Sequence, residues 1–225
     1  MHRRRLTRVL IALAAPVLTI PAFAASAGAA AGVQVPGIDA VAKIYPHVEN
    51  GTVHETTGKV HGPGKNCKPG KAIKGASMRS ASYTPDYSSG DPDVYIIDGK
   101  RPMLSVTAMR FPSAKSAVKY LKGTAKSAKD CPAPGDGGGG GGGGGGSADC
   151  TTKMKKIAFK LGDQRWGYQY KTTCKDGGTK SSSVINMLFV RAGKHIVYTT
   201  AMSMDASAPS TKKSVKLTKL ALKSV

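Results

Sequence analysis

Three histidines, His47, His54 and His61, recur at seven-residue steps with Glu55 among them, and these are residue types that hold zinc. In an extended or irregular segment a seven-residue step alternates faces, so the three side chains would not converge. The spacing also matches none of the usual zinc-ligand patterns. His2 lies at the extreme N-terminus, and His195, beside a turn, reads as a surface residue. The carboxylates are scattered apart from Asp86, Asp91, Asp93 and Asp98. Set among glycine, serine and proline, that group reads as turn chemistry and lacks the calcium-loop pattern. No carboxylate pair of the glycosidase type is marked, and neither a nucleophile motif nor a phosphate loop occurs. The expectation is a protein that is not an enzyme, with no cofactor and no metal.

Cysteine chemistry depends on compartment. Residues 1–27 have the composition of a secretory signal peptide: Arg3, Arg4, Arg5 and Arg8, an apolar run from Val9 to Phe23, then small residues with A-x-A signals at Ala22-Phe23-Ala24 and Ala25-Ser26-Ala27. The apolar run is short for a membrane span and carries Pro16 and Pro21, whereas a span needs ~20 residues. No later stretch is long enough, so the mature chain is expected outside the cytoplasmic membrane, secreted or associated with the cell wall. Four cysteines in that setting, Cys67, Cys131, Cys150 and Cys174, imply two disulfides. Their spacings of 64, 19 and 24 residues contain no C-x₂-C pair, which argues against metal.

Three connectivities are open, and a hairpin favours one. Ile157, Phe159 and Leu161 alternate with polar or small residues, as do Trp166, Tyr168 and Tyr170, and Gly162-Asp163 is a two-residue turn signal. That turn predicts Phe159 opposite Trp166 and Ile157 opposite Tyr168. Cys150 and Cys174 then fall one residue out of register, close enough for a bulge or frayed end to join them, leaving Cys67 for Cys131. The aromatic alternation suits a core face; a stacking platform for bases is the other use of such a row.

Lysine is the commonest ionisable residue. Thirty-four Lys and Arg against 13 acids give a net charge of +21; the four arginines of the leader account for part, leaving +17. Twenty-five of the cations are lysine and nine arginine, which speaks against base-specific nucleic-acid readout, a task suited to the arginine fork. Lys115, Lys119, Lys122, Lys126 and Lys129 form one helical stripe, and Lys212, Lys216, Lys219 and Lys223 another. Each could present a row of ammonium groups ~20 Å long. With Lys65, Lys68, Lys71 and Lys74 they could hold an anionic wall polymer, anionic lipid or nucleic acid. Equally, they could only solvate the outer sides of amphipathic helices.

The elements that must position these residues follow from periodicity. Residues 28–50 form an N-terminal segment with a short helical turn before Pro46. Residues 61–75, rich in Gly, Pro and Lys, read as an irregular loop. Strands are predicted at 76–83 and 93–97, with an Asp98-Gly99 turn leading into a partner at 102–111. A helix at 114–129 is capped by Ser113 and weakened at Gly123 by ~1 kcal/mol relative to alanine. Ten consecutive glycines, Gly137 to Gly146, predict a disordered loop. A second hairpin joins 182–190 to 194–202; apolar residues on both sides of its strands place it centrally in a sheet. A last helix starts near Pro209 and Ser210. The expected fold is α+β, an antiparallel sheet with two amphipathic helices packed on one of its faces and two disulfides. Residues 51–225 form the domain.

The helix ending at Cys131, the Leu161-Gly162-Asp163 turn, the Val190-Arg191-Ala192-Gly193 hairpin and the four spaced cysteines together resemble the PknH-like extracellular sensor domains of actinobacteria, over about residues 50–225. That resemblance implies an antiparallel sheet with helices lining a cleft, disulfides Cys67–Cys131 and Cys150–Cys174, and an unidentified extracellular ligand. The chain carries no kinase domain, unlike the receptor members of that family. The expected function is a secreted, non-enzymatic sensor-type domain. A polyanion-binding protein acting through the lysine stripes is the second reading, and a secreted hydrolase with an unrecognised site the third.

Overall fold

The computed structural model describes residues 33–64, 68–130, 149–176 and 178–225. The side chains of 125–130, Asp149 and Asp176 lie outside this description. So do the expected signal peptide, Lys65, Cys67, Cys131 with its expected disulfide to Cys67, and the glycine run. Seven strands form one antiparallel sheet: β1 (Thr52–Pro63), β2 (Pro69–Thr84), β3 (Met103–Arg110), β4 (Asp149–Lys156), β5 (Gln164–Asp176), β6 (Thr179–Ala192) and β7 (His195–Ser203), in the order β1-β2-β3-β7-β6-β5-β4. Three helices accompany them: α1 (Ile38–Ala42), α2 (Ala114–Asp130) and α3 (Thr211–Lys223).

The C-terminal hairpin lies where its apolar residues require. β7 is the middle strand, paired to β3 on one side and β6 on the other. On one face Leu104, Val106, Ala108, Val197 and Ala201 pack with Leu217 and Ala221 of α3 and Val41 of α1. Val33, Val35, Tyr45 and Val48 join the same cluster, so the segment before β1 supplies core side chains. On the other face, Met109 and Ile196 pack with Ala117 and Leu121 of α2, Val60 of β1 and Phe111. The register makes this division plain, since Ala108 pairs with Val197 while Met109 pairs with Ile196, and adjacent residues of a strand point to opposite faces. The two helices expected on one face are therefore on opposite faces. Helical periodicity marks an inward side but not the sheet face it meets. Below, these are the α3 face and the α2 face.

Three local expectations are corrected. Residues 61–63 and 69–75 are strand, extending a long β1–β2 hairpin through register shifts after Lys59 and His61. Residues Pro92–Tyr95 form a 3₁₀ turn instead of a strand, started by Pro92 and capped by the Asp91 carboxylate, which accepts from Asp93 N–H at 2.8 Å. Asp98 then accepts from the backbone N–H of Lys100 (2.8 Å) and Arg101 (2.7 Å), closing a turn that leads into β3. Finally, the β4–β5 register differs by one residue: Lys156 pairs with Tyr168, Met154 with Tyr170, and Cys150 with Cys174. The Cys150–Cys174 disulfide joins two directly opposed residues. The slip removes Ile157 from the tyrosine face, because one step of register exchanges the faces. The connection therefore spans more residues than a two-residue turn, with Gly162 at φ 58 supplying its left-handed position.

Gly123 has a positional reason as well. A Cβ there would stand 2.7 Å from the Pro63 ring, so glycine lets α2 lie against the end of β1.

Candidate functional site: the two sheet faces

α2 covers only one end of its face. Beyond it the register lines up rows of residues across the sheet. One row runs Thr107, Tyr198, Phe189, Trp166; the next runs Ser105, Thr200, Met187, Tyr168, Lys156. A third is apolar across five strands: Met103, Met202, Ile185, Tyr170, Met154. Most of these side chains are half-buried, and Met103 (46% exposed) and Met154 (59%) stand open at the two ends. No described helix packs over the last two rows. Trp166 alone of the aromatic series reaches the α2 cluster. The predicted core face is thus divided, with Trp166 at the margin of the core and Tyr168 and Tyr170 beyond it.

The chemistry of this surface is mixed. Phe189 and Tyr198 stack with centroids 4.3 Å apart, and Tyr168 and Tyr170 lie tilted at 6.1 Å. Towards β3 and β2 the surface becomes a hydroxyl ladder: Ser105 to Thr200 at 2.6 Å and Ser80 to Thr107 at 2.9 Å. Burial pushes the Tyr198 and Tyr170 hydroxyls up from their ordinary value, so both stay protonated donors. Apolar ring faces bordered by hydroxyl donors and acceptors are the ingredients of a site for small ligands, and methionine at the rim adapts to varied shapes.

The α3 face differs in its interior. Asn186 is fully buried, and its amide joins three elements. Its Oδ1 accepts from Gln169 Nε2 of β5 (2.9 Å), while its Nδ2 donates to Pro209 O (2.9 Å) and Ser214 Oγ (3.1 Å) at the start of α3. Ser214 also meets the Tyr45 hydroxyl, and Thr218 meets Thr199 at 2.7 Å. Burial raises the Tyr45 phenol to about 12. These groups satisfy one another and fix α3 on the sheet.

The two turn segments that carried the family resemblance come together. Arg191 forms an ion pair with Asp163 at 2.9 Å, and Asp163 Oδ2 accepts from Gly193 N–H at 2.8 Å. Their contact is structural, pinning the start of β5 to the β6–β7 turn.

The three spaced histidines take separate roles. His47 Nε2 meets Pro102 O at 2.9 Å, His61 Nδ1 meets Gly70 O at 3.0 Å, and His54 lies on the exposed edge near Thr52. Burial, with the nearby positive charges of Lys213 and Arg101, lowers the His47 pKa despite its bond to Pro102 O.

Lys115, Lys119 and Lys122 are exposed on α2, and Lys212, Lys216, Lys219 and Lys223 on α3; the side chains of Lys126 and Lys129 lie outside the described residues. The two stripes are on helices of opposite faces, so they do not line one groove. What the sequence reading missed is a set of lysines on the strands, Lys153, Lys155, Lys171, Lys175 and Lys180. All are exposed, and the register places all on the α3 face. Their grouping depends on a register the turn signal misplaced by one. Among the described residues every ion pair uses arginine: Arg79–Glu55, Arg101 with Asp93 and Asp98, and Arg191–Asp163. No described helix is long and apolar enough to cross a membrane.

No known protein family matches this sequence, and no curated protein matches it. Among solved structures the chain is similar to the extracellular domain of PknH from Mycobacterium tuberculosis, at 10% identity, covering 85% of this chain and 100% of that one, with a TM-score of 0.38. It also matches LpqN, involved in cell envelope biogenesis of the same organism, at 12% identity over 78% of this chain and 89% of that one, with a TM-score of 0.19. Likeness at this level leaves the reading of the site to its own geometry.

Proposed function

We propose that this chain is a non-enzymatic, exported binding domain. Its site is the part of the α2 face that α2 leaves uncovered, and its ligand is an extracellular molecule with flat ring faces and hydroxyl-rich edges. The observation that carries this reading is the apolar row Met103, Met202, Ile185, Tyr170, Met154, which no described helix covers, bordered on one side by the Ser105–Thr200 hydroxyl pair. A sheet face built only for stability would be closed by a helix or made polar. The leader-like N-terminus and the likeness of the turn and cysteine motifs to secreted sensor domains agree with an extracellular setting.

Trp166, the only tryptophan, stands where the helix cover ends and is a built-in reporter. Titration with fractionated envelope saccharides should change its emission, and Tyr168→Ala with Tyr170→Ala should weaken the response by about tenfold, the loss of ~1–3 kcal/mol typical of a stacking contact. A ligand-bound structure with the saccharide away from these tyrosines would overturn the assignment.

A further inference from the structure

We infer that the α3 face carries a second, separate binding site on β4, β5 and β6, for a linear polyanion that bears phosphate groups and no bases. The inference starts from an arrangement that costs stability. Lys153 stands directly opposite Lys171, and Lys175 directly opposite Lys180. Like charges so placed repel one another, whereas opposite charges there would stabilise the pairing. None of these lysines has a carboxylate partner in an ion pair among the described residues. Asp149 sits across from Lys175 in the register.

Protection of an exposed edge accounts for part of the pattern only. β4 is an edge strand, and lysines on an edge discourage pairing with other chains. Lys171, Lys175 and Lys180 are on the inner strands β5 and β6, where that purpose does not arise. Edge protection would also be served by either face. Instead, over these three strands the α3 face carries Lys153, Lys155, Lys171, Lys175, Lys180 and Arg165, and the α2 face carries Lys156 and Arg191, the latter paired with Asp163.

The shape selects the ligand. Pairs of residues on one face repeat every ~7 Å along a strand, and strands lie ~5 Å apart. From Lys155 to Lys175 and Lys180 the strip is therefore ~20 Å long and ~10 Å wide, which fits a chain better than a plane. Between the lysine rows lie Thr151, Thr173 and Ser182, hydroxyls able to bond phosphate oxygens. No aromatic residue stands on the strip, so bases would find no stacking surface. Lysine, a compact point charge without the arginine fork, suits diffuse attraction to phosphate.

The test uses the whole chain and short-chain inorganic polyphosphate, with affinity measured across a salt series. The variant Lys153→Gln/Lys171→Gln/Lys175→Gln should bind at least ~10-fold more weakly at low salt, and its log–log salt slope should flatten by ~2. The charge-matched variant Lys115→Gln/Lys119→Gln/Lys122→Gln, on the other face, should lose less than a third of the affinity. Tyr170→Ala should bind polyphosphate normally, which keeps this site separable from the ligand face. The strip variant should melt at or above the parent temperature, since repulsion has been removed. Equal losses in both lysine variants would reduce the effect to net charge and overturn the proposal. So would tighter binding of oligo-dT than of polyphosphate, binding confined to phosphatidylglycerol vesicles, or a lowered melting temperature for the strip variant.

Discussion

Asn186 and Met187 are neighbours on β6 and face opposite ways. Asn186 is sealed beneath α3 with its amide bonded on both sides, whereas Met187 is half-buried in a row that no described helix covers. The same contrast runs through the whole sheet. On the α3 face the middle strands are closed by a helix and by the segment before β1, and the remaining area towards β4 is given over to cations. On the α2 face the helix closes one end and leaves rings, hydroxyls and methionines beyond it. On the α3 face buried polar groups bond across elements and fix a helix, whereas on the α2 face hydroxyls bond only between strands, beside rings and methionines that no described helix covers. The difference between the two is therefore measurable one residue at a time.

The largest effect expected concerns β4, which no described helix packs against. Replacing both Cys150 and Cys174 by serine releases a loop of 24 residues and should cost ~3 kcal/mol in urea unfolding, with amide exchange rising in β4 and β5 before β7. Next, Asn186→Ala should cost ~2 kcal/mol, because it leaves the Gln169 amide and Ser214 hydroxyl without their buried partner. Met187→Ala, one position along, should cost under ~1 kcal/mol; equal losses at the two positions would erase the distinction between the faces. Gly123→Ala sharpens it from the α2 side. In an open helix this change stabilises by ~1 kcal/mol, but here the added Cβ meets Pro63, so stability should fall or stay level.

The smallest effect is in pH. His47 is held neutral by burial, with its pKa below that of the unfolded chain. The unfolded state then binds more protons near its ordinary value of ~6.5, so stability is full above that pH and declines as pH falls below it. His47→Gln should flatten the slope of unfolding free energy between pH 7 and pH 5, by at most the equivalent of about one proton. The part that persists belongs to groups such as His195, whose pKa is lowered too.

How far these features could be read in advance depended on whether the signal was local. The α2 and α3 helices and the β6–β7 hairpin were legible, because Ala117, Leu121, Leu217 and Ala221 recur at helical spacing and Val184 to Val190 form a strand apolar on both sides, bounded by a turn at Ala192-Gly193. The long β1–β2 hairpin was not, since Gly62, Pro63, Pro69 and Gly70 carry loop propensities that pairing overrides. At Pro92–Tyr95, an apolar Val-Tyr-Ile-Ile run suggested a strand, while Pro92 and Asp91 built a turn. The side on which each helix docks is a tertiary fact, and amphipathic spacing holds no record of it. The same applies to the lysine strip: Lys153 and Lys171 become neighbours only through a register, and the Gly162-Asp163 signal placed that register one residue away. The Cys150–Cys174 link was legible because nearly symmetric cysteines tolerate such a slip.

The position of α3 bears on how the protein is made. Val33, Val41 and Tyr45, early in the chain, are buried against Leu217 and Ala221 near its end, and β3 pairs with β7 only after the long stretch between them is present. Such contacts are slow to form because distant segments must meet first. A chain emerging from its N-terminus thus has no way to seal this core until residues up to Ala221 have been released. It remains open until then, with the apolar residues of β3 and β7 exposed. Docking of the final helix is then the step that closes the domain.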